Sequence, residues 1–296
     1  MINLYHVNFL SPFRVGNQIG SVDYTDHFIH SDTLASAIID TACTLYNDTT
    51  SLIEELKVSS IFYCLKRGRE TIYTVPTPFK LPEMEQEGDV SALKKFKKRQ
   101  LITLDELDQW LKGTLTPEAM RDELNLFTTD ARISAVIDRQ TGAATPYTRA
   151  AVYVNPDVKG YFLADIPEKT VPMLDASLNL LAHRGIGGDR SAGFGQIELV
   201  KQQTIPEVFR NKSGKQYFIL SLYNPLENEV AMVNPECSYK LEKRSYWFKE
   251  GVLTDRYSFF REGSLFDFEP EGRDITLEKP SKKMIKGKPF YVGVSL

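Results

Sequence analysis

The stretch of this 296-residue chain that is best suited to ligand chemistry holds five glycines within eleven residues. They are Gly185, Gly187, Gly188, Gly193 and Gly195. Because glycine has no side chain, consecutive backbone N–H groups of such a loop can close on phosphate oxygens. Arg184 and Arg190 could add charge-assisted contacts, and Ser191 could add a hydroxyl. Since Phe194 offers a ring on which a base could stack, we expect a loop that binds RNA.

Two common phosphate-binding motifs do not fit this loop. A Walker loop needs GxxxxGK followed by Ser or Thr between a strand and a helix, but here the lysine is missing and the order is helix, loop, strand. A Rossmann fingerprint fails because of the same order, and because Arg190 takes the place of its third glycine. The alternative that stays open is a long connection whose glycines only satisfy tight turns.

Apolar spacing predicts the elements that position the loop. The expected strands are residues 2–10, 58–65, 71–75, 132–138, 150–154, 161–164 and 194–200. One helix follows the cap at His30 to Asp32, and a second begins at Pro172 and ends at Gly185. When a helical insertion is set aside, this order is the βαββαβ signature of a ferredoxin-like unit.

The insertion is expected at about residues 80–128. Thr103 and Glu106 form a capping box, Gly113 ends that helix, and Thr116–Glu118 begins another. After a polar stretch, a second run of aromatic, strand-forming segments begins near residue 217. We therefore predict an α+β chain with two ferredoxin-like (RRM-like) domains, residues 1–205 and a more degenerate 206–296.

Charge and cysteine usage set the expected environment. The net charge of −3 gives no global attraction to nucleic acid, but two basic runs stand out locally, each of which could equally be a solvated face. The runs are Lys94, Lys95, Lys97, Lys98 and Arg99, then Lys279, Lys282, Lys283, Lys286 and Lys288. Three scattered cysteines, no secretory signal and no spanning stretch predict a cytoplasmic protein without a membrane partner.

Catalytic chemistry finds little support in the sequence. The four histidines belong to no HExxH motif, and neither GxSxG nor a paired-carboxylate motif is present. Asp23 and Asp26 near His27 suit an ordinary polar loop better than a metal site. We therefore expect no metal, no cofactor and no catalytic residue. One alternative stays open, in which His27 or His30 acts as the general base of an RNA-cleaving enzyme.

Five segments, in order, carry a resemblance to a known family. They are residues 30–34, 74–78, 94–98, 137–142 and the 185–195 loop. The chain resembles the RAMP superfamily of CRISPR proteins, and within it the subunits of the type III-A (Csm) effector that hold the 5′ repeat-derived tag of the CRISPR RNA. The loop alone would identify only the superfamily, whereas the ordered set is more specific.

The resemblance implies two ferredoxin-like domains, no nuclease activity, and a role in antiviral defence. It also implies three partners, namely the RNA tag, the large polymerase-like subunit and a backbone RAMP subunit. The family's glycine-rich loop corresponds to residues 185–195. We add Arg14, Asn17 and Arg139 as RNA contacts, because loops that follow strands of such a fold lie near the RNA face. The alternatives are a metal-independent CRISPR RNA-processing endoribonuclease and a structural subunit that does not touch RNA.

Overall fold

The computed structural model describes residues 1–16, 24–68, 70–80, 98–116, 118–120, 124–248, 251–279 and 283–295. Its strands are β1 Ile2–Phe9, β2 Lys57–Val58, β3 Phe62–Arg67, β4 Glu70–Pro76, β5 Leu101–Thr103, β6 Phe127–Ile137, β7 Ala144–Val154, β8 Val158–Asp165, β9 Ile197–Gln202, β10 Gln216–Ile219, β11 Leu241–Arg244, β12 Tyr257–Phe260, β13 Leu265–Phe266, β14 Ile275–Leu277, β15 Lys283–Ile285 and β16 Tyr291–Val294. Its α-helices are α1 Ser31–Leu45, α2 Thr50–Glu55, α3 Leu104–Leu111, α4 Val171–Arg184, α5 Glu207–Arg210 and α6 Glu227–Met232.

The first unit is a ferredoxin-like sheet with two helices on one face. The strands lie in the order β9, β1, β8, β3, all antiparallel, and β4 and β5 extend the sheet beyond β3. Leu34 and Ile38 of α1 and Leu174 of α4 are fully buried in one cluster against this sheet. The predicted βαββαβ order is confirmed.

Local differences from the predicted elements have local causes. The last strand of this unit begins at Ile197, not Phe194, because Gly193 and Gly195 adopt positive φ and keep the chain in a turn. The capping box at Thr103 and Glu106 is present and starts α3. The expected helix after Thr116 is a single turn in the residues that the structure describes, and residues 81–97 of the insertion lie outside them.

The second unit keeps the ferredoxin strand order with one crossover changed. Strand β10 lies between β16 and β13, and Ser238 bridges to Leu265 on the outer side of β13. Helix α6 fills the first crossover. In the second, a hairpin of β14 and β15 stands where a helix would be expected. This unit is the more degenerate of the two.

The two units share an apolar core. Phe209, Phe218 and Phe290 belong to the same buried cluster as Leu4 and Tyr161 of the first sheet. The Tyr161 and Phe209 ring centroids are 5.6 Å apart. A domain boundary at residue 205 stays a prediction. No helix in the described part of the chain is long and apolar enough to cross a bilayer.

Candidate nucleic-acid interface

The glycine-rich loop begins where α4 ends at Gly185, whose φ of +72° lets the chain turn away from the helix axis. A Cβ on Gly187 would lie 2.6 Å from the Arg14 carbonyl oxygen, and one on Gly195 would lie 1.9 Å from the Ile186 carbonyl oxygen. Glycine is therefore required at these positions because the loop folds tightly onto itself and onto the segment after β1.

Much of the loop backbone is engaged within the protein. The N–H of Ile186 donates to the Gly195 carbonyl and that of Gly188 to the Arg14 carbonyl, each at 2.8 Å. The N–H of Gly195 donates to the Pro12 carbonyl, also at 2.8 Å. Tight turns thus explain several glycines, and the side chains around the loop become the main candidates for RNA contact.

Three arginines converge beside the loop. Arg14, Arg184 and Arg190 line one cleft of about 410 Å³, together with Gly185, Gly187, Gly188 and residues of α1. Arg184 pairs with Asp40, Nη1 to Oδ2 at 3.2 Å, and Arg190 is exposed without an ion pair to any residue in the described ranges. The cleft therefore carries an excess of positive charge that suits phosphate.

Asp189 connects the loop to the neighbouring strand β7. Its φ of +58° makes it the one non-glycine residue of the described chain with positive φ. Its Oδ2 lies 3.6 Å from Arg14 Nη1 and 3.5 Å from Arg149 Nε. Arg149 also lies over the Phe194 ring, 5.6 Å from its centroid. Arg149 was not predicted from the sequence, although Tyr147 and Arg149 alternate on one face of β7 and could have suggested it.

A long hairpin extends from this point. Strands β6 and β7 pair over eleven positions, from Phe127 opposite Val154 to Ile137 opposite Ala144. Ile133, Val136 and Ile137 are 80%, 61% and 66% exposed. Aliphatic side chains so exposed on a polar hairpin indicate a contact surface, which our sequence reading also missed.

The remaining predicted RNA contacts are spread more widely. Ser191, Gly193 and Phe194 lie in the loop outside the cleft wall. Arg139 lies at the hairpin tip beyond Ile137, which is itself roughly 17 Å from Arg132 at about 3.3 Å per residue, so the structure does not bring Arg139 to the loop. Asn17 lies outside the described residues.

The two histidines proposed as general bases differ in access. His30 is 2% exposed, and its Nδ1 lies 2.8 Å from Glu262 Oε1. The His30 ring is therefore inaccessible to an RNA backbone. His27 is half-buried, with Nδ1 3.2 Å from Gln100 Oε1 and its ring on Phe127. In the described ranges no group of three His, Cys, Asp or Glu side chains is placed to hold a metal ion.

The sequence model of the RAMP superfamily matches residues 6–198. The chain belongs to the RAMP superfamily. Within it the chain is Csm4-like, because the model of the CRISPR Csm4 C-terminal domain matches residues 212–294 of this RAMP protein.

Individual relatives agree with this placement. The CRISPR system Cms protein Csm4 of Methanocaldococcus jannaschii is 24% identical over 274 residues, which is 75% of this chain and 70% of the relative. A chain in the crystal structure of the Csm3–Csm4 subcomplex of the type III-A interference complex superposes with a TM-score of 0.68 at 19% identity, covering 99% of both chains. A chain of the Csm1–Csm4 cassette with AMPPNP gives 0.66 at 16% identity, covering 100% and 99%. The predicted resemblance is confirmed.

Part of the second basic run of this RAMP protein is structural. Lys286 is 5% exposed, donates to the Ile53 carbonyl at 2.7 Å and pairs with Asp274. Lys283 donates to the Trp247 carbonyl. Neither side chain is a free phosphate contact. Of the first run, Lys98 and Arg99 are described and the lysines before them lie outside the described residues.

A buried charge network joins the two units of the RAMP protein. Arg244 of β11 pairs with Asp32 at the start of α1, Nε to Oδ2 at 2.9 Å, and with Asp26 at 3.8 Å. Tyr246 donates to the same Asp32 oxygen at 2.8 Å. Burial raises the pKa of the Asp32 carboxyl, but the Arg244 guanidinium outweighs it and the pKa lies below its ordinary value. We call this set, with His30 and Glu262, the interdomain charge network.

Stability should vary with pH through this network. Burial lowers the pKa of His30, but the Glu262 carboxylate more than reverses this, so the folded pKa lies above the ordinary value. The stabilisation from charged His30 is therefore complete below about pH 6.5 and is lost as pH rises through the folded pKa. Burial and Lys159 lower the pKa of His6 to about 4, so stability should rise between pH 4 and about 6.5.

We therefore expect the free energy of unfolding, measured in urea at fixed ionic strength, to peak near pH 6.5 and to fall on the alkaline side. His30→Gln should be less stable throughout and should flatten that alkaline fall, whereas His6→Gln should leave it in place. An alkaline fall of the same size in His30→Gln would show that another group causes it.

Proposed function

We propose that this chain is a non-catalytic subunit of a type III-A CRISPR ribonucleoprotein. It binds the 5′ repeat-derived tag of the CRISPR RNA and bridges the large polymerase-like subunit to the backbone subunits. The single observation that carries the RNA assignment is the convergence of Arg14, Arg184 and Arg190 on one cleft beside the glycine-rich loop. The structures of Csm4 with Csm3 and with Csm1 support the two protein partners.

The proposed mechanism is scaffold binding. The cleft arginines hold phosphates, which fixes the path of the RNA strand without reading its sequence. Phe194, held under Arg149, offers a face on which an unpaired base stacks. The exposed aliphatic side chains of the hairpin, Ile133 and Ile137 among them, insert between bases or pack against a partner.

The endoribonuclease alternative is weakened by the burial of one of its two candidate bases. His30 is buried and paired with Glu262, so a scissile 2′-hydroxyl cannot reach it. His27 keeps partial exposure and is the residue through which that alternative is tested.

Arg190→Ala should weaken binding of labelled tag RNA to the purified chain several-fold at moderate salt. Because one phosphate contact is lost, the slope of log affinity against log salt should fall by about one. Arg210→Ala removes an exposed arginine that does not line the cleft beside the glycine-rich loop and should change neither quantity. Fluorescence anisotropy across a salt series measures both.

The same samples, incubated with chelator and analysed on gels, separate the alternatives. Intact RNA supports the scaffold proposal. Specific cleavage that His27→Ala abolishes would replace it with the nuclease. No binding by the chain or by its complex with the large subunit would leave the purely structural role.

A further inference from the structure

A second cleft of about 340 Å³ opens between the two units. Its walls come from the end of β4, from the chain before β5, from Lys240 just before β11, and from the turn after β12. The site described above does not use this cleft. Its volume lies within the range of small-molecule sites, which is about 300–1,000 Å³.

The cleft has a cationic rim. Lys98 and Lys240 are exposed and form no ion pair within the described parts of the chain. Arg261 lies over the Phe28 ring at 5.6 Å, with Nη1 3.8 Å from Glu242 Oε2. Arg99 Nη2 lies 3.6 Å from Glu106 Oε1. Two lysines on the rim without a described carboxylate partner favour an anionic ligand over a neutral one.

The inner wall of the cleft is aromatic. Phe79 is half-buried, and Phe28 and Trp110 form the deeper wall. The Trp110 indole N–H donates to the Lys80 carbonyl at 2.6 Å, which fixes the ring. Thr77 Oγ1 is a buried polar atom of this wall without a hydrogen-bond partner in the described chain. An aromatic wall with one unused polar atom inside a cationic rim matches a base attached to a phosphate.

The two clefts flank one segment of chain. Val15 lines the cleft beside the glycine-rich loop, and its carbonyl accepts from the Asp26 N–H at 2.8 Å. Phe28, two residues further on, lines the interdomain cleft. One hydrogen-bonded stretch of backbone therefore contributes a residue to each cleft, which favours a single ligand strand that contacts both.

We propose that the interdomain cleft binds one unpaired nucleotide of the RNA strand whose phosphates occupy the arginine cleft. This proposal rests on the proposed RNA-binding function. The base packs against Phe79, and Lys240 and Arg261 hold its phosphate. An acidic peptide of a protein partner is the competing occupant, and it would need no aromatic wall.

The chain has two tryptophans, so Trp247→Phe leaves Trp110 as a reporter in the cleft wall. Titration of this full-length variant with labelled tag RNA should quench Trp110 fluorescence over the same concentration range in which anisotropy reports RNA binding. Adding Lys240→Ala and Arg261→Ala should weaken binding about tenfold and reduce the salt slope by one to two. Lys169→Ala, on a lysine that lines neither cleft, should change nothing.

The outcomes separate this proposal from the RNA-binding function itself. RNA that binds with Arg190-dependent anisotropy, but with Trp110 fluorescence unchanged and no effect of the double substitution, overturns the cleft and leaves the RNA function intact. If the chain with intact clefts binds no RNA, the cleft proposal and the RNA-binding function are both overturned. A Trp110 response to a poly-glutamate peptide in place of RNA assigns the cleft to an acidic partner.

Discussion

Gly195→Ala should destabilise the protein by about 3 kcal/mol or more and abolish tag binding. The new Cβ would lie 1.9 Å from the Ile186 carbonyl oxygen, and the φ of +69° is itself unfavourable for alanine by about 1–2 kcal/mol. Relief requires breaking the hydrogen bond from Ile186 N–H to the Gly195 carbonyl and moving the loop away from Arg14. The measurements are urea unfolding and RNA anisotropy on the same preparation.

Gly193→Ala is the matched control, because Gly193 has φ of +86° but its Cβ would meet no atom within 4 Å. It should lose only the φ penalty of about 1–2 kcal/mol and keep RNA binding. Gly187→Ala should fall between the two in stability, since its Cβ would lie 2.6 Å from the Arg14 carbonyl oxygen. Equal losses in Gly195→Ala and Gly193→Ala would show that the close packing of this loop contributes nothing.

Local signals predicted the first unit well. Helical spacing of Leu34 and Ile38 predicted α1, and Pro172 and Gly185 predicted the start and the end of α4. Each of these signals involves residues of a single element, so it can be recognised in the sequence alone. The strand order then follows from topology rules that allow few arrangements of a βαββαβ chain. The register and the length of the strands were harder to predict from the sequence. The hairpin of β6 and β7 is longer than predicted, because residues 127–131 of β6 and 144–149 of β7 are largely polar and show no alternating apolar face.

For the candidate site, the sequence predicted less than it did for the first unit's fold. The glycine spacing marked the loop, but not why the glycines are needed, which depends on contacts with Pro12 and Arg14 more than 170 residues away in sequence. Arg149 and Asp189 became a pair only through the fold. Arg139, chosen from a general rule about loops, lies at a tip far from the cleft.

The interdomain charge network was wholly hidden from the sequence reading. His30 was assigned there to a helix cap, with a general base as the alternative, and Asp26 to a polar loop. Their partners, Glu262 and Arg244, lie more than 200 residues away and in the other unit. No periodicity records such a pairing, because each residue on its own is an ordinary surface charge in the sequence.

Arg244→Ala should destabilise the protein by about 3–5 kcal/mol, because it leaves the fully buried Asp32 carboxylate without its main counter-charge. Asp26, 7% exposed at its side chain, loses the same partner. The lower free energy of unfolding should appear in urea at pH 6.5. It should be accompanied by weaker RNA binding, because the network sets the relation between the unit that carries Phe28 and the one that carries Arg261.

Lys243→Ala, at the exposed neighbour on the same strand, is the control and should change stability by less than about 0.5 kcal/mol. The double variant Asp32→Ala with Arg244→Ala tests the physical cause. Since the large loss comes from an unpaired buried charge, removing both partners should recover part of it, giving a coupling energy of about 1–3 kcal/mol. Additive losses would mean that Arg244 acts through packing of its apolar stem, and the ion pair would then contribute little to holding the two units together.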